Sequence, residues 1–232
     1  MSEPIRIMVV DDHVLLCDSL AAVLDAEVDM QVTARATDGE QAVAEAARAQ
    51  PDIVLMDIDM PGSDAFDASR RIEQVAPQAR LVFLSGYRRD TFIERALQTP
   101  AWGYLLKWGS VAEIINAIRR VNQGAVCIAP EVQARLIADP SVRRSGGQSG
   151  GTSGGRLGWD PSARTRLSRL TQREREVLVH LASGRTRREI AEMMQIADRT
   201  VAAHVSSIMG KLEIRDRVAL AKFAISEGLS EL

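Results

Sequence analysis

Ile53-Val54-Leu55-Met56-Asp57 is a short apolar run that closes on a carboxylate. The same design occurs at the start of the chain, where Ile5–Val10 ends in Asp11 and Asp12. Two more runs end in reactive side chains: Leu81-Val82-Phe83-Leu84 in Ser85, and Tyr104-Leu105-Leu106 in Lys107. Bounded apolar runs of this length read as buried strands. In an open parallel sheet the carboxyl ends of the strands line one crevice. Asp11, Asp12, Asp57, Ser85 and Lys107 are therefore expected at a single sheet edge.

Amphipathic segments separate these runs. The pattern predicts strands near Ile5–Val10, Gln31–Ala34, Ile53–Met56, Leu81–Leu84 and Gly103–Leu106. It predicts helices near Val14–Ala26, Gly39–Ala49, Phe66–Val75, Thr91–Gln98 and Val111–Asn122, with a further short one near Glu131–Ala138. Strands alternating with helices mean parallel pairing and helices on both faces, so the front half is a doubly wound α/β domain with five parallel strands.

Three carboxylates gathered at one point raise one another's pKa unless a cation sits among them. With oxygen ligands alone, Mg2+ is the expected ion, keeping several of its waters. Asp57 is then placed as an in-line nucleophile toward phosphorus. Lys107 supplies a fixed positive charge to the same group, and the Ser85 hydroxyl a hydrogen bond.

At 232 residues, 46% hydrophobic and 26% charged, the chain has the composition of a folded soluble protein and room for two small domains. No run reaches the length of a membrane span, and Met1-Ser2-Glu3-Pro4 opens no leader pattern, so a cytoplasmic protein with no membrane partner is expected. Cys17 and Cys127 are too few for a disulfide framework or a zinc site. Charge is split: residues 1–138 carry 13 Arg/Lys against 20 Asp/Glu (−7), and residues 164–232 carry 13 against 9 (+4). A basic back half suggests that this half alone meets a polyanion.

Ser145–Gly155 has no apolar residue to bury, so 139–163 reads as a flexible Gly/Ser-rich linker between domains 1–138 and 164–232. The back half carries no strand signal. Thr171-Gln172-Arg173-Glu174 and Thr186-Arg187-Arg188-Glu189 are capping boxes opening two helices. A brief turn then leads to a third helix that buries Val201, Val205, Ile208 and Leu212. Two helices on a tight turn, the second polar on its free face, form a helix-turn-helix. That free face offers Arg199, Ala202, Ala203 and Ser206, flanked by Thr200 and Lys211. Arg187 and Arg188 stand at the preceding helix start, where phosphate is readily met. A fourth helix, with Val218, Leu220, Ala221 and Ile225, has more apolar surface than one small core needs and is assigned to dimerisation.

VVDDH (Val9–His13), DGEQAV (Asp38–Val43), PDIVLMDIDMPG (Pro51–Gly62), GYLLK (Gly103–Lys107) and AIRRVNQG (Ala117–Gly124) resemble the receiver domain of two-component response regulators. LTQREREVL (Leu170–Leu178), GRTRREIAEMMQI (Gly184–Ile196) and RTVAAHVSSIMGKL (Arg199–Leu212) resemble a LuxR-type helix-turn-helix. Together they resemble the NarL/FixJ family. The resemblance implies a flavodoxin-like receiver whose Asp57 takes a phosphoryl group from a sensor histidine kinase. It implies Mg2+ held by Asp12, Asp57 and the Asp59 backbone carbonyl, with Asp11 acting through water. It implies a switch pair, Ser85 and Tyr104, in which the hydroxyl moves to the phosphoryl group and the ring rotates inward. It puts contacts to double-stranded DNA at Thr200, Ala202, Ala203, His204, Ser206 and Lys211, a homodimer as the active form, and a recognition helix masked at rest.

Ser85 stands where Thr is commoner, Ala65 and Pro100 where Gly is usual, Trp108 where a small or acidic residue is typical, and Ala202 where Lys is frequent. Ala197 replaces the usual capping Ser. His204 fits a buried imidazole equally well. Two other readings stay open: a regulator that works without phosphate, its receiver a docking module, and a haloacid-dehalogenase-like phosphatase using Asp57-Ile58-Asp59. The inverted order of the acidic motifs opposes the second.

Overall fold

The computed structural model describes residues 3–62, 64–86, 90–97, 99–138 and 166–229. The expected linker 139–163 lies outside the described residues. By contact density the chain divides into two compact units, Met1–Gln123 and Gly124–Leu232.

The first unit alternates β1 (Ile5–Val10), α1 (Val14–Asp25), β2 (Met30–Ala36), α2 (Gly39–Ala49), β3 (Ile53–Asp57), α3 (Ala65–Val75), β4 (Arg80–Ser85), α4 (Asp90–Leu97), β5 (Gly103–Leu106) and α5 (Val111–Asn122). The sheet order is β2-β1-β3-β4-β5-β6, and the pairings among β1 to β5 are all parallel. The sixth strand, β6 (Cys127–Ile128), has two residues. It corrects the expected count of five, because a two-residue strand is too short to show any alternation.

Ile7, Met8, Val9 and Val10 of β1, and all of β3, are buried. Strands covered on both faces read as continuous apolar runs, which is why the hydrophobic pattern located them. Helix starts follow local chemistry: the Asp38, Asp64 and Ser110 side chains accept amide hydrogen bonds at the heads of α2, α3 and α5.

Register then decides where the reactive residues fall. Val10 lies opposite Met56, Asp57 opposite Leu84, and Ser85 opposite Leu106. Asp11, Asp57, Ser85 and Lys107 therefore leave the sheet within one or two residues of each other, at the same edge.

The second unit contains α6 (Pro130–Ala138), α7 (Gln172–Ala182), α8 (Arg187–Met194), α9 (Asp198–Leu212) and α10 (Arg217–Ser226). Both predicted capping boxes form, Thr171 with Glu174 and Thr186 with Glu189. Between α8 and α9 the chain turns through Gln195 in the left-handed region (φ 53°). Helix α9 starts at Ala197 with no side-chain cap. Leu178, Ile190, Val201, Ile208, Leu220 and Ala224 are at the centre of the core. Helix α6 packs against α10, and so groups with the helical unit and not with the sheet.

Candidate functional site: an acidic sheet edge and a helix-turn-helix face

Asp11 (3% exposed), Asp57 (2%) and Ser85 (0%) are buried at the carboxyl end of the sheet, with Asp12 half-buried beside them. The Lys107 ammonium joins two of the acids, with Nζ 2.6 Å from Asp11 Oδ2 and 2.9 Å from Asp57 Oδ2. The Lys107 amide donates to the Ser85 carbonyl at 2.9 Å, which ties β5 to β4 just where the site opens. The Asp59 amide donates to Asp57 Oδ1 at 3.2 Å.

One member escaped the sequence reading. His13 closes the cluster: its amide donates to Asp11 Oδ1 at 2.9 Å, and its Nδ1 lies 3.0 Å from Asp12 Oδ1. Ligand atoms of Asp11, Asp12, His13 and Asp57 all lie within 4.8 Å of one another. The signal was present in Val9–His13, but a lone exposed His next to two acids carries little specificity by itself.

Burial pushes the Asp57 carboxyl up, and the Lys107 ammonium offsets part of that rise. For Lys107 burial acts downward, but hydrogen bonds and charge from Asp11 and Asp57 outweigh it and hold the ammonium above its ordinary value. Three carboxylates against one ammonium leave two negative charges, the balance a divalent cation corrects. The donors are mainly hard carboxylate oxygens, so the residues present fit Mg2+.

Tyr104, the second member of the expected switch pair, is buried. Burial raises its phenol pKa, and the hydrogen bond with the nearby Ser85 hydroxyl lowers it by less. Trp108 is half exposed directly after Lys107.

On the helical unit, Arg199, Ala203 and Ser206 are exposed along one face of α9, while Thr200, Ala202 and His204 are half-buried. Arg187 and Arg188 are exposed, but both are engaged within the unit. Arg187 Nε donates to Asp198 Oδ1 at 2.7 Å, and Arg188 Nε to Glu192 Oε1 at 3.0 Å. Lys211 is likewise paired within the unit. Its Nζ lies 2.8 and 2.7 Å from the two oxygens of Glu174, a residue 4% exposed, and so points into the unit. Burial alone would raise the Glu174 pKa, but hydrogen bonds from Lys211, Ser207 and Thr171 hold it at about 2.

The residues assigned to dimerisation lie in the interior of the helical unit. Val218, Leu220, Ala221 and Ile225 are all buried inside the unit, against α7 and α6. Their surplus apolar surface was real, but α6, distant in sequence, covers part of it.

The chain thus carries a doubly wound sheet with an acidic edge and a helix-turn-helix. Residues 7–119 match the response regulator receiver domain, and residues 168–224 match the bacterial regulatory proteins of the luxR family. The chain is 33% identical to the transcriptional regulatory protein LnrK of Bacillus subtilis, over 97% of this chain and 99% of that one. It is 34% identical to the transcriptional regulatory protein DegU of Brevibacillus brevis, covering 97% and 94%. A solved LuxR-family two-component response regulator from Aurantimonas is 30% identical with a TM-score of 0.55, over 60% of this chain and 99% of that one. The chain belongs to the two-component response regulators that join a receiver domain to a LuxR-type DNA-binding domain.

Among the described residues no helix is long and apolar enough to cross a membrane.

Proposed function

We propose that Asp57 accepts a phosphoryl group from the phosphohistidine of a sensor kinase, and that the acyl phosphate governs dimerisation and sequence-specific DNA binding. The observation that carries this reading is the Lys107 ammonium held between Asp11 and Asp57, with Asp12 adjoining, at one sheet edge. In the transfer, an Asp57 oxygen forms a bond to phosphorus as the bond from phosphorus to the imidazole nitrogen breaks. The other ring nitrogen carries a proton, so the electron pair returns to an imidazolium-type ring, which leaves as neutral imidazole. Lys107 follows the new phosphoryl oxygens, and the Ser85 hydroxyl donates to one of them.

Asp11, Asp12 and Asp57, with the Asp59 carbonyl, would hold Mg2+, which supplies positive charge to the phosphoryl oxygens. Val14, Leu15 and Leu16 are exposed immediately after His13 and offer the kinase an apolar surface next to the site. The receiver assists only its own phosphorylation and dephosphorylation, and domains 1–138 and 164–232 are joined by the segment between them. An added charge of about −1.5 to −2 draws donors toward it. Dimerisation through Val218, Leu220, Ala221 and Ile225 then requires α6 to leave α10. On DNA, Arg187, Arg188, Arg199, Thr200 and Ser206 take phosphate and base contacts, with Ala202, Ala203 and His204 on the same helix.

The test is incubation with acetyl phosphate and Mg2+, followed by mass spectrometry. The native chain should gain one phosphoryl group and Asp57→Asn none. No gain in the native chain, or an equal gain in both, would overturn the assignment; turnover of a generic phosphomonoester would revive the phosphatase reading.

A further inference from the structure

Glu174 makes more hydrogen bonds than its capping box requires. As a cap it accepts from the Thr171 amide at 2.7 Å and the Thr171 hydroxyl at 3.0 Å. Its other oxygen accepts from the Ser207 hydroxyl at 2.7 Å, and Lys211 Nζ reaches both oxygens. Ser207 and Lys211 are four residues apart on α9 and so lie on one face of that helix. One almost fully buried carboxylate therefore joins the start of α7 to the second half of the recognition helix.

The rest of the α9 contact is apolar: Val201, Val205, Ile208 and Leu212 are buried. Apolar burial sets which face turns inward but is non-directional, so it tolerates small rotations about the helix axis. A carboxylate with fixed partners on two elements defines it. We propose that Glu174 is a positioning residue for sequence reading: by holding Ser207 and Lys211 it sets the rotation of α9, and with it the aim of Arg199, Ala203 and Ser206.

The geometry gives the scale. A rotation of about 20° moves an atom about 6 Å from the helix axis by about 2 Å. That is enough to break a base-edge hydrogen bond, whereas long arginine side chains can still follow a phosphate. Loss of the pin should thus weaken recognition of a preferred sequence more than binding to arbitrary duplex.

The experiment uses the full chain and two duplexes, one selected from a randomised pool on the native protein and one of random sequence, titrated over a range of salt. Glu174→Gln and Lys211→Gln should each reduce the ratio of selected to random affinity by about tenfold, the scale of one lost base contact. The double variant should fall little further, because both substitutions break the same contact. Lys211→Arg should restore the ratio, and Ser207→Ala, a mild change that leaves both charges in place, should lower it by about threefold. If Lys211→Gln weakens both duplexes alike and lowers the salt slope by about 0.9, Lys211 is a phosphate ligand and the proposal fails. A ratio that holds in Ser207→Ala and in folded Glu174→Gln overturns it equally.

Discussion

Replacing Lys222 with Met should make the protein more stable at neutral pH and should flatten the dependence of its stability on pH. Lys222 lies in α10 at 8% exposure, one helical turn from Val218. Burial lowers its pKa from the ordinary 10.5 to about 7, and the Asp216 carboxylate offsets part of the fall. The difference, 10.5 less 7, is 3.5 pH units. At 1.36 kcal/mol per unit, keeping the folded ammonium charged costs about 5 kcal/mol at most. The flexible stem lets the charge edge toward water, so about 3 kcal/mol is the working figure. In the unfolded chain the amine keeps its proton up to about pH 10.5, whereas in the folded chain it gives it up above about pH 7. Between those values the unfolded state binds more protons, so native stability rises with pH. Below about pH 7 both states are charged and the cost is constant. Methionine fills similar volume without a charge. Calorimetry of the full chain and Lys222→Met from about pH 6 to about pH 9.5 should show the variant melting about 10 °C or more higher at pH 7, the gap closing as pH rises. Contributions from Cys17 and Tyr104, both raised chiefly by burial, cancel in the difference curve. Parallel curves, or a variant less stable at pH 7, would refute the reasoning.

Asp12→Asn removes one of three carboxylates and should weaken Mg2+ binding by about tenfold or more, read by calorimetric titration; unchanged affinity would place the ion elsewhere. Asp198→Asn, at the head of α9, frees Arg187 at the head of α8 and should steepen the salt dependence of binding to random duplex by about 0.9, read by fluorescence anisotropy. An unaltered slope would show that Arg187 does not reach phosphate. Val132 of α6 is buried, so Val132→Asp should detach α6 from α10 and raise the dimer fraction in sedimentation, as dimerisation through α10 requires; a monomer with α6 detached would count against it.

Much of the architecture could be read from local patterns. Helices α2 and α5 and strand β5 have the predicted limits, since Asp38 and Ser110 cap the two helices and Gly103–Leu106 is a bounded apolar run. Strand β2 runs longer than Gln31–Ala34, and α4 starts one residue earlier than expected. The acidic edge was legible because its residues end strands, and strand ends in a parallel sheet share one side. His13 was not, because its part depends on distances to Asp11 and Asp12 and not on its type.

The helical unit shows the opposite limit. Lys211, Arg187 and α10 each have a partner on another element of the unit: Glu174, Asp198 and α6. The elements, their order and the chemistry available at their ends could be read along the chain, since these depend on neighbours three or four residues away. Which charges are paired and which apolar surface is already covered follows from the three-dimensional packing. Pairing and burial depend on distance in space, and a linear pattern carries no record of that.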